Sequence, residues 1–103
     1  MMNKEKANLF LDFYENLLTD KQKTICYYYY REDFSLSEIS EILDITRSAV
    51  FDALKKSNKI LEKFETKLKC VSSFNKRMAY YLEIKKFDVK EINQLIDACI
   101  ETE

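Results

Sequence analysis

Apolar residues recur at helical spacing along the chain, and the pattern is sharpest between Phe34 and Lys56, FSLSEISEILDITRSAVFDALKK. Leu36, Ile39, Ile42 and Leu43 fall on one helical stripe that ends at Asp44. Ser35 and Glu38 have the spacing of a capping box, in which the hydroxyl takes a free amide and the carboxylate reaches back. Ile45 is the lone apolar residue of the corner, and Thr46 suits the N-cap of the next helix. There Val50 and Leu54 recur four apart and face the preceding helix. Two helices joined this way have the pattern of a helix-turn-helix whose second helix is presented outward.

Upstream, Leu9, Phe10, Phe13, Tyr14 and Leu17 form the stripe of a first helix over residues 3–18. Thr19 with Gln22 makes a second capping box, opening a helix that runs through Ile25 and Cys26 into Tyr27, Tyr28, Tyr29 and Tyr30. Four successive tyrosines occupy every face of a helix, so some must point outward. Tyr27 and Tyr30 are candidate partner contacts, or stacking surfaces for unpaired bases. Arg31, Glu32 and Asp33 form a polar link.

Downstream, Val50, Leu54, Ser57, Leu61, Phe64, Leu68 and Val71 alternate four- and three-residue steps, the seam of a coiled-coil-like helix. The spacing predicts one helix from Arg47 to about Lys69. Ser72 or Ser73 can cap a fifth helix carrying Phe74, Met78, Tyr81 and Leu82. Asp88 with Glu91 has the spacing to open a last one with Ile92, Leu95, Ile96, Cys99 and Ile100. The expected fold is all-α: a helix-turn-helix domain over 1–71 with a long fourth helix, and a C-terminal helical extension over 72–103. That extension packs on the first domain or on a second subunit. Six helices in 103 residues leave much apolar surface to cover, so a homodimer through the apolar seam is expected as well.

Composition sharpens the fold class and removes functions. There is no Gly and no Pro, the residues that tight hairpins and left-handed turns prefer. Without Gly there is no phosphate-cradling loop and no dinucleotide fingerprint. Without His there is no imidazole base and no Ser–His or Cys–His nucleophile pair. Cys26, Cys70 and Cys99 are far apart and lack metal-ligand spacing, which points to reduced, buried thiols rather than a metal site or a disulfide framework. The chain is therefore expected to be no enzyme and to need no cofactor. No segment has the apolar run of a signal peptide or a membrane span, which predicts a cytoplasmic protein.

Charge is unevenly distributed. Residues 1–46 hold five Lys/Arg against nine Asp/Glu, residues 47–77 nine against three, and residues 78–103 three against six. The basic block starts at the first residue of the outward helix, where a local positive field would draw a polyanion. Arg47, Ser48, Lys55, Lys56 and Lys59 are the candidate nucleic-acid contacts. Lys55, Lys56, Lys59, Lys63, Lys67 and Lys69 form either a solubilising face over the seam or a rail along a phosphate backbone. Phe51 and Asp52 share the outward side. Phe51 suits a protein partner, and Asp52 has the wrong charge for phosphate, although it can accept from cytosine.

The string LSEISEILDITRSAVFDAL resembles the helix-turn-helix of region 4 of bacterial sigma factors. Over LTDKQKTICYYYYREDFSLSEISEILDITRSAVFDALKK the chain looks like the YlxM family of small helix-turn-helix proteins, a similarity extending from about Leu9 to about Lys69. That resemblance implies a link to the signal recognition particle pathway, through the position of the family's gene beside that of the particle's GTPase. Particle RNA or the GTPase would then be the partner. In sigma-factor relatives the positions matching Phe51 and Ala53 are often basic or polar, and here both are apolar. The departure disfavours sequence-specific duplex recognition and suits structured RNA or a docking protein. The leading expectation is a nucleic-acid-binding accessory protein. The alternatives are a DNA-binding transcription regulator, or an adaptor whose contacts are Phe51, Tyr27 and Tyr30.

Overall fold

The computed structural model describes all 103 residues, which are helical throughout with no strand. The chain divides into two compact units, Met1–Leu68 and Lys69–Glu103. The first comprises α1 (Lys4–Tyr14), a 3-10 turn (Glu15–Leu17), α2 (Asp20–Cys26), a π-helical turn (Tyr27–Arg31), α3 (Leu36–Leu43) and α4 (Arg47–Leu68). The second is a pair of helices, α5 (Cys70–Lys85) and α6 (Lys90–Glu101).

The helix starts follow from the sequence. Both capping boxes close reciprocally, Thr19 with Gln22 and Ser35 with Glu38. The Thr46 hydroxyl oxygen accepts from the Ala49 amide at 3.0 Å and caps α4. Each cap satisfies an amide that would otherwise have no intrahelical partner.

The core of the first unit forms around α4. Val50, Leu54, Ser57 and Leu61 have no accessible surface, and α1, α2 and α3 all pack on this helix. They contribute Ala7, Phe10, Leu11 and Tyr14, then Ile25 and Cys26, then Ile39. The Ser57 hydroxyl is satisfied within the helix by donating to the Ala53 carbonyl at 2.7 Å. The first part of the expected seam, from Val50 to Leu61, is thus consumed inside one chain, while Phe64 is half-buried and Leu68 exposed. Leu17 also departs from its expected stripe. The 3-10 turn after Tyr14 changes the register, so Leu17 is exposed and Leu18 enters the core.

Of the four tyrosines only Tyr30 is buried, and Tyr27, Tyr28 and Tyr29 are half-buried. Tyr30 is 2 % exposed, and its hydroxyl donates to Asn58 Oδ1 at 2.9 Å. Tyr27 donates to the Glu15 carboxylate and lies under the Arg31 guanidinium, 4.9 Å from its ring centroid. Tyr28 stacks on Phe34 with ring centroids 5.5 Å apart. The wide π turn makes this packing possible, because its bonds span five residues, as from the Glu32 amide to the Tyr27 carbonyl at 3.0 Å.

Four residues hold left-handed backbone in a chain without Gly: Asp33, Asp44, Lys69 and Asp88. Asp tolerates this region better than most residues. At Asp44, φ is 52°, and the Ile45 amide reaches the Ser40 carbonyl at 3.1 Å, which closes α3. Lys69 breaks the helical path, so α5 begins at Cys70; Ser72 and Ser73 lie inside it rather than capping it, and Val71 is not on α4. Asp88 forms no capping box with Glu91, because it is held in the left-handed corner and Val89 occupies the N-cap. Within the second unit, Arg77 pairs with Glu103 and Lys85 with Asp97. Only Cys26 is a buried thiol; Cys70 is half-buried and Cys99 exposed, which corrects the expectation of three buried ones. No helix is long and apolar enough to cross a membrane.

Burial pushes the Tyr30 phenol up to about 12, although its bond to Asn58 pulls the other way. A folded-state value above the ordinary ~10 means stability is full below pH ~10 and falls as pH rises from there towards 12. Urea titrations over that interval should show this loss, and Tyr30→Phe should flatten it. The same variant leaves Asn58 Oδ1 without its donor and should cost about 1–3 kcal/mol at neutral pH. Asp44→Val should destabilise, and Asp44→Gly should not, since only Val meets the steric penalty at positive φ.

Candidate nucleic-acid interface

The rotation of α4 about its own axis is fixed by the stripe it buries, and so is the identity of the residues it presents. Arg47, Ser48, Phe51, Asp52, Lys55, Lys56 and Lys59 are all solvent-exposed. At roughly 100° per residue, Ser48, Lys55 and Lys59 lie within about 40° of one another, and Arg47 about 80° from Lys55. These four form one broad flank. Lys56 lies about 100° round from Lys55, where it lines a separate hollow of ≈ 340 Å³ with Thr19, Lys21 and Gln22 from the α2 end. Lys56 is nevertheless only about 60° from Lys59, so it stands at one edge of the exposed side and Arg47 at the other.

Asp52 and Glu62 stand beside this flank, but neither forms an ion pair with its cations. Arg47, Lys55, Lys56 and Lys59 make no ion pair and no side-chain hydrogen bond, whereas Lys4, Arg31, Arg77, Lys85 and Lys86 are all paired. Lys55 and Lys59 are one turn apart, so two like charges face solvent at neighbouring positions.

Phe51 is 44 % exposed and forms part of two hollows. One, of ≈ 420 Å³, lies between α4 and the start of α1 and is lined by Met1, Lys6, Phe51, Lys55, Asn58 and Lys59 among others. Asn58 lies over the buried Tyr30 hydroxyl and also contacts the Met1 sulfur, with Nδ2 3.0 Å from Sδ. The other, of ≈ 440 Å³, is lined by Leu36, Arg47, Ser48, Phe51 and Asp52. Lys6 is the residue that sequence reasoning missed. It lies far from α4 in sequence, and only the packing of α1 on α4 brings its charge beside Lys55 and Lys59. Tyr27 and Tyr30 take no part in this surface, the first being engaged by Glu15 and Arg31 and the second buried.

The sequence profile of the YlxM / p13 like helix-turn-helix proteins matches residues 1–99. A relative in Malacoplasma penetrans is 45% identical over 98 residues, covering 95% of this chain and 86% of the relative. YlxM of Bacillus subtilis is 38% identical over 98 residues, covering 90% of this chain and 89% of its own length. A relative in Shouchella clausii is 36% identical over 94 residues, covering 91% and 84% respectively.

Because neither ammonium has an intramolecular partner, Lys55→Gln with Lys59→Gln should leave the urea midpoint unchanged. Arg31→Gln should lower it, because that guanidinium bonds Asp12 at 3.0 Å and covers the Tyr27 ring.

Proposed function

The chain belongs to the YlxM / p13 like family of helix-turn-helix proteins, and from that premise we propose that it is a non-enzymatic nucleic-acid-binding accessory or regulatory protein. Its contact surface is the flank of α4 bearing Arg47, Ser48, Lys55 and Lys59, with Lys6 of α1 at its edge. The observation that carries this reading is the unpaired state of those cations. A lysine already held by a carboxylate offers a phosphate little, whereas a free one releases condensed counterions on contact. The N-terminal turn of α4 adds Ser48 and the positive end of the helix dipole, which also suit phosphate.

Structured RNA fits this flank better than a duplex operator. Asp52 stands among the cations and repels a continuous phosphate track, and Phe51 is a poor reader of base edges in a major groove. The resemblance to a family linked with the signal recognition particle makes the particle's RNA the first candidate, with the particle's GTPase as a protein partner. A second reading, an adaptor that docks a protein, is favoured by the exposed Phe51 beside Leu36.

Titrations with random duplex DNA, particle RNA and the particle GTPase at two salt concentrations separate these readings. About four phosphate contacts predict a log–log salt slope near −3 for nucleic acid, and an apolar docking surface predicts almost none. Lys55→Glu with Lys59→Glu should cut nucleic-acid affinity at low salt and flatten that slope. Unchanged affinity for both nucleic acids in this variant would end the proposal.

A further inference from the structure

We infer that Phe51 is a stacking platform for an unpaired nucleotide, so that the outward flank of α4 takes single-stranded nucleic acid in preference to duplex. The inference rests on the nucleic-acid reading above and narrows it. It starts from the placement of one aromatic ring, which is exposed and lines two hollows, of ≈ 420 and ≈ 440 Å³. Both volumes fall in the ~300–1,000 Å³ range of small-molecule sites, ample for a base with its sugar.

The chemistry of the two hollows differs in a way that matches one strand crossing the ring. The first carries three ammonium groups, Lys6, Lys55 and Lys59, against one carboxylate, Glu62, a cationic balance suited to a phosphate adjoining a stacked base. The second carries Arg47, Ser48 and Asp52 beside the apolar Leu36. Its acidic and basic side chains can bond the amino and carbonyl edge of a base that has left the stack. Asp52 repels the backbone of a duplex but is well suited to accept from an exocyclic amine. In a duplex, base faces are covered by their neighbours and the Phe51 ring has nothing to stack on. In a loop or a single strand those faces are free, and aromatic stacking supplies affinity without sequence preference.

The test compares fluorescein-labelled ten-nucleotide single strands, one RNA and one DNA, with a random 20-base-pair duplex, by anisotropy on the full chain. Phe51→Ala should weaken single-strand binding about tenfold or more. It should leave duplex affinity and its salt slope unchanged. Phe51→Tyr should keep single-strand affinity, and the urea midpoints of both variants verify that the fold is retained. Loss in the RNA arm alone assigns the platform to RNA, and loss in both arms to unpaired strands in general. If Phe51→Ala leaves single-strand binding unchanged, or weakens single strand and duplex alike, the platform is wrong while the nucleic-acid reading stands. If the wild-type chain binds none of the three probes, the broader reading fails with it.

Discussion

Burial of one stripe of α4 is the constraint on which the first unit depends. Val50, Leu54, Ser57 and Leu61 are wholly enclosed by α1, α2 and α3. A turn of the helix about its axis would expose apolar side chains worth about 1.5–3 kcal/mol apiece. The helix is therefore held in one rotation, which also fixes the residues on its opposite, exposed side. The Tyr30 hydroxyl, bonded to Asn58 one step along from Ser57, adds a directional contact to this non-directional burial. A buried phenol without an acceptor costs free energy, so the bond also fixes how far the π turn can slide along α4.

Connections between the helices are made without the residues that usually make them. Asp occupies three of the four left-handed positions and Lys the fourth. A short acidic side chain tolerates that backbone and is compatible with water, which suits exposed corners. At Asp44 the corner brings α4 back onto α3 within a few residues, and Thr46 restarts the helix at once. Tight spacing of these two devices gives the motif its geometry in a chain where no Gly is present.

The pairing of charges divides the surface more clearly than net charge does. The chain as a whole carries a formal charge of −1, yet its cations fall into two groups. Some are paired, and they sit where chain segments meet: Arg31 links the π turn to α1, and Lys85 links α5 to α6. Others stand alone along α4. Neutralised pairs contribute little field at a distance, so the potential that a polyanion encounters comes mainly from the unpaired set.

The helix-turn-helix was legible in the sequence because its signals are local. Two capping boxes, a corner residue and a four-residue apolar repeat each act within one turn, and each formed as the spacing required. The outward cations of α4 were legible for the same reason, since periodicity alone separates buried from exposed sides of a helix. What failed was mostly what depends on contacts distant in sequence, together with local corners such as Asp88. Tyr30 looked free until α4 covered it, and the seam from Val50 to Leu61 looked available until α1, α2 and α3 filled it. Asp88 was taken by a corner before it could cap a helix. Lys6 entered the candidate site only through the packing of α1. Local patterning chose the elements and their faces, and tertiary packing decided which of those faces remained for a partner.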